Sequence, residues 1–278
     1  MPIVLSLSYT PDTLWLAGPE GLFRQTSTNL APVPQPQTEL ACCLIAGGRL
    51  LVGGAPYGIA FSRDEGEAWQ QGYTEGELSM ALCFAAAPDV AESGILLAGS
   101  DGAGVWRSRD WGESWAPCHV GLSESAILCL SWAPPAPLGQ WPAWDMVFAG
   151  TERGVYRSPN GGRAWKASMG IDCVIQCLAT GADFHRSGHV LAGSEGDGLW
   201  RSIDAGRTFQ PVAGTPQQVN ALTALAAGWL LSDEAALWHS SDGETWRPIP
   251  DSAPALVLLD TPGGLYAGGV DGVRQGQR

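Results

Sequence analysis

Basic charge is scarce in this chain. Its 278 residues hold 15 Lys or Arg against 28 Asp or Glu, a net charge of −13, and Lys166 is the one lysine. Nucleic acids and anionic membranes are bound by clustered basic side chains that neutralise phosphates, so neither partner class is expected. A strongly negative surface instead favours a cationic partner through long-range steering. Histidine is sparse too, with only His119, His185, His189 and His239. None stands with a serine or cysteine in a nucleophile context, and the G-x-S-x-G elbow is missing. His185 and His189 are four residues apart, but glycine and aspartate flank them, so a solvated loop is expected rather than a metal pair. No apolar run reaches the length of a membrane-spanning helix. The opening MPIVLSLSYTPD lacks a positive n-region and a small-residue cleavage site, so it reads as a strand. The seven cysteines are an odd number without C-x-x-C pairs. They suggest neither a disulfide framework nor a zinc site, so no metal and no cofactor is expected, and reduced thiols point to a cytoplasmic setting.

What the chain does have is repetition. SRDEGEAW (Ser62 to Trp69), SRDWGESW (Ser108 to Trp115), SPNGGRAW (Ser158 to Trp165) and SIDAGRTF (Ser202 to Phe209) share the pattern S-x-(D/N)-x-G-x-x-(W/F), and SSDGETW (Ser240 to Trp246) fits it with one residue deleted. The serines recur every 38 to 50 residues, a period that marks stacked supersecondary units. A second signature precedes each box: AGSDGAGVWRS from Ala98, AGTERGVYRS from Ala149, AGSEGDGLWRS from Ala192, with weaker copies from Ala17, Gly53, Ser232 and Gly268. Each reads as two short strands joined by an acidic turn in which glycine supplies positive φ. A short apolar run lies ahead of each pair: Ile3 to Ser8, Ala41 to Ala46, Ala81 to Ala86, Ile127 to Trp132, Val174 to Ala179, Ala221 to Ala226 and Ala255 to Leu259. Such runs suit strands buried on both faces. Seven units of four antiparallel strands predict an all-β, single seven-bladed β-propeller over 1–278. The approximate blades are 1–37, 38–77, 78–122, 123–170, 171–215, 216–252 and 253–278. Gln25 to Asn29 replaces the box in the first unit, and the seventh ends at Arg278 straight after its third strand. The last blade is therefore expected to be three-stranded, with an open edge.

The boxes resemble the Asp-box (BNR) repeats of sialidases, xyloglucanases, sortilin-type receptors and photosystem II assembly factors. That resemblance implies a hairpin between third and fourth strands. It makes Asp64, Asp110, Asn160, Asp204 and Asp242 turn residues, and Trp69, Trp115, Trp165, Phe209 and Trp246 wedges between sheets. It is specific for fold and nearly silent on function, because unrelated activities share the motif. Sialidase chemistry in that family needs an arginine triad and a tyrosine nucleophile. Arg24, Arg107, Arg157 and Arg201 recur at equivalent third-strand positions, which points to a structural role in each blade. Xyloglucanases build their cleft between two propellers, and photosystem II assembly factors carry a basic patch that this acidic chain lacks. No catalytic residue is assigned, and a non-enzyme is the expectation.

Two surface features remain as candidate sites. The turns between second and third strands carry Glu20, Asp101, Glu152, Glu195, Asp197, Asp233, Glu234 and Asp271. On one face of a propeller they would focus a negative potential on an Arg- or Lys-rich segment, although acids and glycine are also ordinary turn residues. Trp111 occupies a variable box position, and Trp141 and Trp144 lie in the Pro-rich insert Ala133 to Asp145. The three indoles would form one exposed patch of the kind enriched at binding hot spots, unless the insert folds back and buries its own rings. Cys43, Cys83, Cys129 and Cys177 align at one first-strand position, completed by Ser6, Thr223 and Val257, and read as small core fillers. The function expected is a non-catalytic scaffold for a protein partner with a basic segment. The alternative is a glycan-binding module or a glycoside hydrolase of the Asp-box type.

Overall fold

The computed structural model describes residues 1–27, 29–137 and 145–276. Seven antiparallel sheets follow one another along the chain, and they are the blades of an all-β, seven-bladed β-propeller. Blade one is a meander of Ser6–Thr10, Thr13–Gly18, Gly21–Gln25 and Leu30–Val33. Blade seven has three strands, Val257–Thr261, Gly264–Gly269 and Gly272–Gly276. The chain divides into two compact units, Met1–Pro117 with Leu256–Arg278, and Cys118–Ala255. Within the first unit Val4 is wholly buried, and its N–H donates to Gly269 O at 3.0 Å, seaming blade one to blade seven.

In each blade the second strand is buried more completely than the first, whose apolar run suggested the reverse. Leu96–Ser100, Val147–Thr151 and Val190–Ser194 are buried along their whole length. The first strand Ala81–Ala86 is buried at Ala81 and Ala85, and Ile127–Trp132 at Ile127 alone. A second strand has a hydrogen-bonded neighbour on each side and cover on both faces, whereas a first strand is an edge of its sheet.

The same kind of packing shifts the cysteine alignment by one residue. Cys42, Cys83, Cys129 and Cys177 lie opposite Gly53, Gly99, Gly150 and Gly193, and Val257 lies opposite Gly268. Cys43 pairs with Val52, one step further on, in line with Ser6 and Thr223. A bulge before each of the four cysteines sets this register, and a bulge leaves no mark in an apolar run. The sulfur fills the space that glycine leaves: a methyl on Gly150 would lie 2.4 Å from the Cys129 Sγ. Burial pushes the Cys83 and Cys177 thiols up to about 12, which keeps them neutral. Among the described residues no group of three or more His, Cys, Asp or Glu is placed to hold a metal ion.

Three linkers between blades run along the outer strand of the blade that follows. Tyr73–Thr74 pairs in parallel with Ser114–Pro117, adding a fifth strand to the third sheet. In the second unit, Trp165 N–H donates to Val120 O at 2.8 Å, and Phe209 N–H to Met169 O at 2.9 Å.

Five hairpins between third and fourth strands are closed in one way. The serine that ends the third strand accepts the N–H of the box glycine, Gly66, Gly112, Gly162, Gly206 or Gly243, at 2.8 to 3.0 Å. Its hydroxyl donates to the Asp or Asn two residues on: Asp64, Asp110, Asn160, Asp204 or Asp242. That Oδ1 in turn accepts an N–H from the far side of the turn, such as Ala68 at 2.9 Å or Ser114 at 2.9 Å. The fourth box residue takes left-handed backbone, with φ of 57° at Glu65, 57° at Trp111 and 60° at Ala205. The closing aromatics are buried or half-buried, with Trp115 1% and Phe209 2% exposed. Asn160 accepts the Ala164 N–H at 3.0 Å as the aspartates do, so the acceptor, not its charge, closes the turn.

The charge has a separate effect on acid stability. Donors from Thr245 and Glu244 lower Asp242 from the ordinary 3.8 to about 2. A carboxyl depressed in the fold stabilises it above the ordinary carboxylate pKa, and that contribution fades as pH falls through the lowered value. Asp242→Asn is therefore expected to keep the fold at neutral pH and to lose less stability than wild type between about pH 4 and pH 2. Urea unfolding at several pH values measures it; parallel acid limbs would show that Asp242 carries no such linkage.

Candidate functional site

The turns between second and third strands hold their carboxylates outward. In blade three, Ser100 Oγ donates to Gly104 O at 2.7 Å and accepts the Ala103 N–H, which fixes the turn and leaves Asp101 exposed. In blade five, Ser194 Oγ donates to Gly198 O at 2.7 Å and accepts the Asp197 N–H, so Glu195 and Asp197 stand exposed. Thr151 plays that part beneath Glu152. Glu20 and Asp271 are exposed in the first unit, where Glu20 also accepts the Ile3 N–H at 3.0 Å. Asp233 differs. It accepts the Ala235 and Ala236 N–H groups and the Trp238 indole N–H, so it is a turn fastener. Two large apolar residues share turns of this class in the first unit, Tyr57 at 48% and Val270 at 59% exposure.

Trp111 is not an exposed indole. It is half-buried, its N–H donates to Val90 O at 2.9 Å, and the Arg49 guanidinium lies 5.1 Å from its ring centroid. Gly47 makes room for it, because a methyl there would sit 2.0 Å from the ring. The site that holds Trp111 is built by a short helix, α1 (Val90–Ser93), ended by left-handed Gly94, whose carbonyl accepts the Trp111 backbone N–H at 3.0 Å. The ring is a wedge between blades two and three, and a box position that looks variable becomes buried through its neighbour's turn. Trp141 and Trp144 lie outside the described residues.

Blade five repeats this construction without the ring. Its helix α2 (Phe184–Ser187) ends at left-handed Gly188, whose carbonyl accepts the Ala205 N–H at 3.1 Å. Ala205 stands where Trp111 stands, and an open cleft of about 460 Å³ lies there. Phe184, on its floor, packs edge-on to Phe148 with centroids 5.8 Å apart. His185 and His189 belong to this region rather than to a solvated loop. His185 Nε2 is 2.5 Å from Pro134 O, and His189 Nε2 is 3.3 Å from Arg201. The two are half-buried with separate partners, so they are no ligand pair.

Two third-strand arginines, Arg24 and Arg201, meet the box of the following blade. Arg24 pairs with Glu65 at 2.9 Å, Arg201 pairs with Glu244, and in blade three Glu113 collects Arg49 and Arg63. At Arg157 the facing box brings a like charge instead. Burial and the like charge of Arg207 lower its pKa, against a weaker opposing effect of Asp204. Arg207 holds the box position that Glu113 and Glu244 hold elsewhere. The cleft thus lines its apolar floor with two arginines, Arg157 and Arg207. Its signal is present in the aligned boxes, as Ala205 against Trp111 and Arg207 against Glu113.

No family profile matches the chain, and no curated protein matches it. Solved structures share the fold. The extracellular domain of the putative one-component system BT4673 from B. thetaiotaomicron has a TM-score of 0.74 at 14% identity, over 98% of this chain and 38% of that one. The GH74 xyloglucanase from Xanthomonas campestris has 0.75 at 16%, over 98% and 51%. YCF48 bound to D1 peptide has 0.71 at 15%, over 98% and 92%. This chain therefore spans about half or less of the first two. At such identities the likeness is one of fold, and that fold serves an enzyme in one case and a peptide-bound protein in another.

Truncating the wedge tests the packing that separates blades two and three. Trp111→Ala is expected to cost about 2–3 kcal/mol, less than a fully buried tryptophan would. Denaturant unfolding of wild type and variant measures it, and a change under about 0.5 kcal/mol, as at an exposed position, would contradict the packing described.

Proposed function

We propose that this chain is an Asp-box-type, non-catalytic β-propeller scaffold for a protein partner that carries a basic segment. The observation that carries the reading is the set of exposed carboxylates Asp101, Glu152, Glu195 and Asp197 on turns whose backbone is already closed by Ser100, Thr151 and Ser194. A preorganised turn loses little conformational freedom on binding, so its charge is available for recognition. Exposed Tyr57 and Val270, on turns of the same class, add the apolar contacts that protein interfaces use. The arginines support a non-catalytic role, because Arg24 and Arg201 are each spent on an ion pair to the next box rather than gathered on one substrate. Trp141 and Trp144 belong to the proposal as further partner contacts, and a cytoplasmic setting belongs to it on the strength of the buried, neutral thiols.

Affinity capture from the native host with the chain as bait tests the scaffold. A salt-sensitive protein partner is expected, and Glu152→Gln, Glu195→Gln and Asp197→Asn together should weaken it about tenfold while leaving thermal unfolding unchanged. Capture that ignores both salt and these substitutions would overturn the acidic turns as the contact. A glycan-array signal with no protein partner would favour the carbohydrate reading instead.

A further inference from the structure

We propose that the cleft of blade five is a binding site for a tryptophan side chain flanked by carboxylates, presented by an acidic peptide segment. The site is separate from the acidic turns and takes ligands of opposite charge. Three observations converge on it.

The first is the missing ring. α1 with Gly94 and α2 with Gly188 share geometry: N-cap φ, ψ of −103°, 23° against −101°, 24°, and C-cap φ, ψ of 64°, 13° against 66°, 14°. The fourth box residue hangs from both C-caps by the same backbone bond, at 3.0 and 3.1 Å. One copy inserts the Trp111 indole; the other has Ala205 and an open cleft of about 460 Å³, roomy enough for a side chain of that size.

The second is the spare acceptor. Val90 O takes two donors, the Gly94 N–H at 3.0 Å and the Trp111 indole N–H at 2.9 Å. Phe184 O is its counterpart and takes the Gly188 N–H at 2.7 Å. A carbonyl oxygen has two lone pairs, so an indole seated as Trp111 is seated finds its acceptor in place. Ile203, 62% exposed on the lip, gives such a ring an apolar cover.

The third is the missing anion. Where Arg24 meets Glu65 and Arg201 meets Glu244, Arg157 shares the cleft lining with Arg207. Asp204 offsets only part of that charge, and Ser202 and Thr208 already hold its oxygens at 2.7 to 3.0 Å. Two guanidiniums with one engaged carboxylate form a fork suited to a carboxylate from outside. On a chain of net charge −13, this is a local reversal of sign.

The test uses a fluorescein-labelled peptide with one tryptophan between paired glutamates, read by fluorescence anisotropy against the full chain. Salt-dependent binding is expected. Alanine in place of the peptide tryptophan should weaken it about tenfold or more. Ala205→Trp should abolish it, because the new ring takes the place that Trp111 takes at the same φ, and circular dichroism reports whether the fold survives. Arg157→Gln with Arg207→Gln should weaken binding about tenfold and flatten its salt dependence. Undiminished binding by folded Ala205→Trp, or equal binding of the alanine peptide, overturns the proposal. Binding of free indole-3-acetate with no binding of the peptide overturns the peptide as occupant. Ala205→Trp that loses the peptide yet still captures a basic partner supports the cleft as a separate site. Wild type that binds the peptide but captures no basic partner supports the cleft and overturns the scaffold reading alone.

Discussion

A serine hydroxyl and the side-chain oxygen of an Asp or Asn two residues on close each of five turns, and the remaining architecture depends on that bond pair. A hairpin this tight turns several backbone N–H groups inward, and each left unsatisfied costs about 1–3 kcal/mol. Ser108 and Asp110 between them accept N–H groups from Asp110, Gly112, Glu113 and Ser114. With the turn locked, Trp115 is delivered to the core at 1% exposure, and the box side chains reach the arginines of the preceding blade. One local motif therefore sets strand pairing, wedge and inter-blade ion pairs together.

This dependence explains what the sequence made legible. Turn chemistry is written in consecutive residues, so seven repeats, the third-to-fourth strand hairpins and the short last blade were readable from pattern. The cysteine register was not: the bulge between Leu40 and Cys42 answers the packing of sulfur against Gly53, a contact between strands. Trp111 departs from the exposed patch that its pattern suggests for a related reason. Its burial is decided by Gly47 in the preceding blade and by α1, a four-residue helix too short to announce itself by periodicity. The glycine and aspartate around His185 suggest a solvated loop on the same grounds, whereas α2 gives it a place beside Pro134.

A repeat protein tells its special positions by departure from its own rule. Arg24 and Arg201 each find an acid in the box of the following blade. Arg157 departs from them because the box facing it carries Arg207. Ala205 breaks a second rule at the same place. Conservation of geometry with loss of content, as in α1 and α2, separates a site from mere drift more sharply than any single residue does. The acidic turns of blades three, four and five repeat one arrangement, which suits a diffuse field rather than a point of chemistry.

The linkers carry one more implication. An outermost strand with unpaired backbone groups is a template on which another copy of the chain can grow. Here Tyr73–Thr74 occupies that template on the third sheet, and Val120 and Met169 do so, bond by bond, on the next two. Connecting peptide thus doubles as a sheath against self-association. Cutting or lengthening the chain at such a joint would leave each blade folded and make the protein sticky, a failure of solubility rather than of stability.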